Sequence, residues 1–223
     1  MSNFISWLQQ LRFGAVWEML IVLAASLLCI TVHESCHGLA AYWLGDDTAR
    51  RMGRISLNPL RHIDLAGLVM MALFHFGWAK PVPVDMRRFR NRRAGMALTA
   101  LAGPVSNVLL AFLAVLLYAL CGFLPDTELW AYVSYFFWYT AILSAGLAVF
   151  NLFPIPPLDG SKVLFALLPD AAYEKLMRYE RYGMILLMVL LATDVLDTPL
   201  LWLRTGLLNG LASAVSSLIG LFV

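Results

Sequence analysis

The sequence predicts an all-α polytopic membrane protein with about four to six transmembrane helices, a re-entrant segment and a short membrane-associated β-hairpin or strand region. Three observations carry this. The 223 residues are 61% hydrophobic and 13% charged, with a mean hydropathy of +0.77; a typical soluble domain is roughly 25% charged. The apolar residues gather into runs of about 20 or more, the length that crosses a hydrocarbon core of ~30 Å. Between the runs, arginines and prolines cluster in short polar stretches, which suits loops at a membrane surface.

The length suggests a single domain, 1–223, with a core at about 14–165 and C-terminal helices at about 180–223. The apolar composition makes the lipid bilayer a partner; the net charge of +2 is modest, and no basic face points to nucleic acid. Cys29, Cys36 and Cys121 all fall in apolar stretches, so no disulfide framework is expected. The first apolar run is too long for a signal-peptide core and no small-residue cleavage site follows it, so it is read as retained.

Residues 1–13 read as an interfacial lead-in, with Phe4, Trp7, Leu8 and Leu11 on one side. The first span runs from Gly14 to Leu44. Some ~30 residues rising ~1.5 Å each reach about 45 Å, so this helix should tilt or project from the bilayer. Gly45-Asp46-Asp47 ends it. Arg54 to Pro59 alternates polar and apolar residues as a short strand does, although an ordinary basic loop fits the cluster Arg50, Arg51, Arg54 and Arg61 equally well. Residues 63–79, which include His75, are apolar but short for a span. Both flanks are basic, and a full crossing would put one of them outside, so re-entry is favoured. Pro81-Val82-Pro83-Val84 is held extended by its prolines.

The second span, Ala94 to Cys121, carries Gly103-Pro104-Val105-Ser106-Asn107. Small residues there allow close helix approach, and Asn107 is a buried hydrogen-bonder, either helix–helix glue or part of a site. Gly122 to Trp130 has acids but no Lys or Arg and suits the outer side. The third span, Leu129 to Phe150, opens with an aromatic belt of Trp130, Tyr132, Tyr135 and Trp138. Asn151 to Gly160 then breaks the helix with Pro154, Pro156 and Pro157. A short helix follows, Ser161 to Leu168. Residues 170–182, with Lys175, Arg178 and Arg181, suit the cytoplasmic face. A fourth span is expected over Gly183 to Trp202, and residues 205–222 either span or lie in the interface.

Chemistry enters at His33-Glu34-Ser35-Cys36-His37, an HExxH pattern inside the first apolar run. Ionisable groups at that depth are costly and need a partner. On a helix, residues four apart share a face, so His33 and His37 can reach one metal, with zinc the natural candidate. Glu34 then lies where it can hold a water and take its proton. Cys36 is out of phase with the pair and reads as a packing residue. Non-helical backbone at membrane depth is tolerated where protein or a cavity surrounds it, and Asp159 sits at the end of such a break. It can complete a His-His-Asp site with one position left for water, or cap the helix that follows, or both.

In these pieces the sequence resembles the site-2 protease family of intramembrane zinc metalloproteases. The matching stretches are His33 to His37, Gly103 to Asn107, and Asn151 to Gly160 with its closing Leu158-Asp159-Gly160; Gly53 to Pro59 and Gly77 to Val84 resemble the compact bacterial branch. The resemblance implies one zinc ion per chain held by His33, His37 and Asp159, with Glu34 as general base. It implies that Asn107 lies near bound substrate, and that the extended stretch Arg54, Ser56, Asn58 pairs with an unwound substrate strand. The chain departs from larger members in having no inserted soluble domain such as a PDZ module, and from some compact members in having no span before the motif helix. The partners implied are a transmembrane protein or peptide substrate and the bilayer. The place implied is a bacterial-type plasma membrane, crossed several times, with the active site in the cytoplasmic half. Two rivals remain: a membrane metal carrier, and an inactive relative that binds transmembrane segments without cutting them.

Overall fold

The computed structural model describes residues 13–67, 69 and 78–221, and their secondary structure is helical. Helix α1 (Phe13–Trp43) has 31 residues. It ends at Gly45, whose φ of +105° is a left-handed conformation that glycine takes without strain. There the fully buried Asp46 ties two parts of the chain together. Its Oδ1 accepts from the Thr48 N–H (3.0 Å) and hydroxyl (2.5 Å), and its Oδ2 from the Asp85 N–H (2.7 Å). Helix α2 (Thr48–Arg51) is a single turn.

Helices α1, α3 (Arg92–Cys121) and α4 (Glu128–Asn151) pack on one another and form the centre. Small side chains line the seams: Ala25 and Cys29 from α1, Ala100 and Ala111 from α3, Ala141, Ala145 and Ala148 from α4, all buried. In lipid this is how helices gain contact, because small residues let backbones approach closely. Helix α5 (Asp159–Ala166) packs on α3, and α6 (Asp170–Ala192) meets α5. Helix α7 (Asp197–Ile219) lies against α3 and α4, with Val215 buried among Ala114, Val115 and Ala141.

Two expectations are corrected. The span expected over Gly183 to Trp202 is not one rod: α6 stops at Ala192 and α7 starts at Asp197, with the axes bent by 87°. Thr193-Asp194 interrupts the apolar run, Asp194 takes a left-handed φ of 55°, and Leu196 pins the corner by packing on Leu158 and Leu187. Residues up to Ile219 belong to α7. Among the described residues α1, α3 and α4 are long and apolar enough to cross a membrane, and the bent α6–α7 pair makes at most a fourth span. This is fewer than the upper part of the expected range.

The expected β-hairpin or strand region is also absent from the described residues, which hold one isolated antiparallel bridge, Ile63 with Ala79. The Ser56 carbonyl is taken by side chains, Asn58 caps a 3-10 turn at Pro59–Arg61, and Pro81 and Pro83 have no N–H to give. The re-entrant reading of 63–79, with His75, and the lead-in before Phe13 lie largely outside the described residues.

Candidate metal centre

Side chains of α1 and α5 converge against α3. His33 and His37 lie one turn apart on α1, 4% and 8% exposed. Asp159 is the first residue of α5 and is 8% exposed. The residue capping that helix is Leu158, so the capping alternative for Asp159 is not realised. The proline break brings α5 back against α3. At Gly160 a Cβ would stand 2.6 Å from the Phe153 carbonyl oxygen, so only glycine lets α5 start that close to the loop.

The facing atoms form a small triangle. His33 Nε2 lies 3.0 Å from His37 Nε2 and 3.2 Å from Asp159 Oδ2, and His37 Nε2 lies 3.1 Å from the same oxygen. A tetrahedral metal with bonds of ~2.0–2.1 Å to nitrogen and oxygen has ligand–ligand edges of about 3.3 Å. The protonation pattern agrees. His37 Nδ1 donates to the Thr99 carbonyl at 2.7 Å; a carbonyl can only accept, so the proton is on Nδ1 and Nε2 presents its lone pair. Two bare imidazole nitrogens and a carboxylate oxygen at this spacing repel unless a cation stands between them. The donor set fits a divalent metal, and it is the one such group among the described residues.

Surrounding groups hold these three side chains. The fully buried Asn107 amide lies 3.2 Å from His33 Nδ1 through Nδ2, leaving Oδ1 buried without a partner. With the amide turned over, Oδ1 accepts from the His33 Nδ1–H and frees the His33 Nε2 lone pair for the metal. Lys162, one turn after Asp159, places Nζ 3.7 Å from Oδ1, the oxygen turned away from the histidines. Gly103 makes room: a Cβ there would run into the His37 ring and stand 2.7 Å from His33 Cε1.

Beside the histidines on α1, the Glu34 Oε2 accepts from the Val82 N–H at 3.1 Å. The loops there are braced as one layer. Ser35 Oγ donates to the Ser56 carbonyl (2.7 Å), and His62 Nε2 to the same oxygen (2.8 Å). The buried Arg54 donates through Nη2 to the Lys80 carbonyl (2.6 Å), whose own N–H donates to the His62 carbonyl (2.9 Å).

The structure therefore brings His33, His37 and Asp159 together with Asn107 behind His33. Arg54 and Ser56 stand on the Glu34 side as internal braces, and Asn58 is exposed and caps the turn at Pro59–Arg61. Cys36 is not among the converging groups. Thr99, Ser35, His62 and Lys162 escaped the sequence reading. Only Lys162, three residues after a candidate ligand, carried a signal there.

The model of "Peptidase family M50" matches residues 124–193, which take in α4, the proline break and Asp159. A Bacillus subtilis protein named "Putative zinc metalloprotease YwhC" is 38% identical over 179 residues, covering 79% of this chain and 81% of that protein. This chain belongs to peptidase family M50. A second relative, "Putative zinc metalloprotease Rip2" of Mycobacterium tuberculosis, is 30% identical over 193 residues, 85% of this chain and 72% of its own. The Mycolicibacterium smegmatis protein of the same name is 28% identical over 187 residues, covering 80% and 69%. No solved structure matches the chain. The resemblance read from the motifs is to this same M50 family.

Proposed function

We propose that this M50 protein is a zinc-dependent endopeptidase that hydrolyses peptide bonds of transmembrane segments within the bilayer, near its cytoplasmic side. His33, His37 and Asp159 hold one zinc ion, and Glu34 is the general base. The observation that carries the reading is the triangle of His33 Nε2, His37 Nε2 and Asp159 Oδ2, with edges of 3.0–3.2 Å.

Zinc in such a site supplies a Lewis acid for the peptide carbonyl and makes water acidic enough to lose a proton near neutral pH. The protein's own groups do the rest. The Glu34 carboxylate, steadied by the Val82 N–H, takes the proton from water and hands it to the departing amine nitrogen. Thr99 and Asn107 keep the two imidazoles turned with Nε2 inward. A substrate helix must first unwind, since its amides are shielded by their own hydrogen bonds. The backbone of 54–58 is proposed to receive the unwound stretch as an added strand. Ile55 and Leu57 make no backbone–backbone bond with other described residues, which supports this. Asn107 is assigned to the His33 ring in preference to the substrate.

The orientation rests on charge. Arg87, Arg88, Arg90, Arg92 and Arg93 gather at the start of α3, and basic loops stay in the cytoplasm. Thr99 and Gly103 lie about 10 and 16 Å along α3 from that end at ~1.5 Å per residue, which supports a metal reached from the basic side. A metal carrier would need further ligands along a route, and the described residues hold one such group.

Glu34→Gln tests the assignment. The variant should keep its zinc, read by elemental analysis, and lose cleavage of a membrane-embedded substrate by roughly 10²–10⁴-fold. Cleavage that persists with zinc in place removes Glu34 from the mechanism.

A further inference from the structure

Two opposite charges line one cavity between α4 and α7 and do not pair. Arg204 and Asp197 stand two turns apart on one face of α7. With Gly146, Phe150, Leu200 and Leu201 they line an open-sided cavity of about 460 Å³. The Arg204 guanidinium meets no acceptor among the described residues. Its Cδ lies over Gly146, 3.5 Å from where a Cβ would be. An arginine inside an apolar helix is costly and points to a partner, whether lipid, substrate or ion.

Register gives its depth. The start of α7 lies beside the end of α4, and Val215 lies beside Ala114 and Ala141, so α7 runs parallel to α3. Arg204 precedes Val215 by the same number of residues as Gly103 precedes Ala114. The Arg204 backbone is thus level with the histidine rings, on the far side of α4. Helical side chains lean toward the N-terminus, so the guanidinium reaches back toward Asp197 and the membrane face. A first-turn acid such as Asp197 favours the helix dipole, but that does not account for an unpaired cation facing the same space.

We propose that this cavity binds the headgroup of an aminophospholipid, with the phosphate on Arg204 and the ammonium on Asp197. A guanidinium fork matches phosphate oxygens. The carboxylate, nearer the surface, suits an amine. Leu200, Leu201 and Phe150 offer an apolar wall to the glycerol and upper chains, and Leu201 and Trp202 continue outward, 55% and 75% exposed. The inference rests on the membrane placement of α7 and not on the peptidase reaction.

The full-length protein in detergent is incubated in turn with phosphatidylethanolamine, phosphatidylglycerol and phosphatidylcholine, and retained lipid is counted by native mass spectrometry. Phosphatidylethanolamine should be retained in preference to the other two. Arg204→Gln should weaken its retention about tenfold or more, and Arg204→Lys only partly. Asp197→Asn should keep phospholipid but lose the preference for the amine over phosphatidylglycerol. Inorganic phosphate and phosphorylethanolamine should not displace the lipid; displacement by either makes this a soluble-anion site and overturns the lipid assignment. Equal retention of the three lipids by the native protein, or unchanged retention by a folded Arg204→Gln, also overturns it. If Arg204→Gln does not fold, Arg204→Lys and Asp197→Asn decide by the same readout. Because lipid and not cleavage is measured, a failure here leaves the peptidase reading intact.

Discussion

At the scale of single residues, the candidate site depends on groups outside the three converging side chains. Gly103 is the sharpest case, because a methyl group there overlaps the His37 ring. Gly103→Ala should lower bound zinc well below one per chain and cost about 1–3 kcal/mol of stability, the usual effect of overpacking a tight seam; metal analysis and thermal unfolding check both. Asn107→Leu removes the acceptor for His33 Nδ1 and should weaken zinc binding about 10–100-fold, whereas Asn107→Asp keeps an acceptor and should bind more tightly than the leucine variant. Chelator competition measures this. His33, Glu34 and His37 could be read from spacing alone, since a helix fixes which residues share a face. Asp159 could be read because three prolines at membrane depth demand a reason. The Thr99 carbonyl could not: a backbone acceptor carries no side-chain signature, and Pro104 frees the neighbouring Ala100 carbonyl instead. Nor could His62, whose partners come from the Ser56 carbonyl and the motif helix.

At the scale of elements, the segments beside Glu34 behave as a braced layer and not as a sheet. The alternation from Arg54 to Asn58 looked like a strand, but alternation marks which side chains point in and says nothing about where backbone bonds go. Here Ser35 and His62 take the Ser56 carbonyl. The join between the end of α1 and the turn Met86–Arg88 depends on Asp46. Removing its carboxylate in Asp46→Ala leaves the Asp85 N–H unpaired and should cost about 2–3 kcal/mol, measured by thermal unfolding. The same join should respond to acid. A hydrogen bond from Arg51 holds Asp47, and one from Arg87 holds Asp85, below the usual carboxylate pKa. A depressed pKa in the folded state stabilises above the unfolded value and is lost as pH falls through the folded one. Amide exchange over residues 84–88 should therefore quicken below about pH 4, and Asp85→Asn should flatten that dependence. The corner between α6 and α7 was hidden for a similar reason: hydropathy sums over Thr193-Asp194, and nothing in it marks a bend of 87°.

At the scale of the whole molecule, a small-residue seam joins three helices, and a metal held at the proposed site would fasten α5 to them. The seam was legible as runs of apolar residues, although the number of crossings was not, because length and hydropathy do not tell a bent pair from two spans. With zinc at 1,000 times its dissociation constant, binding adds about 4 kcal/mol to folding. Stripping zinc with a chelator should lower the melting temperature and raise exchange first in α5 and the proline break, and zinc should restore both. His33 and Asp159 are 126 residues apart in the chain. A ribosome delivers the imidazole pair into the bilayer long before the carboxylate exists. Until the proline break emerges and folds back on α3, the nascent polypeptide carries an incomplete ligand set. On the proposed reaction, other newly inserted helices are safe from it until that fold-back is complete.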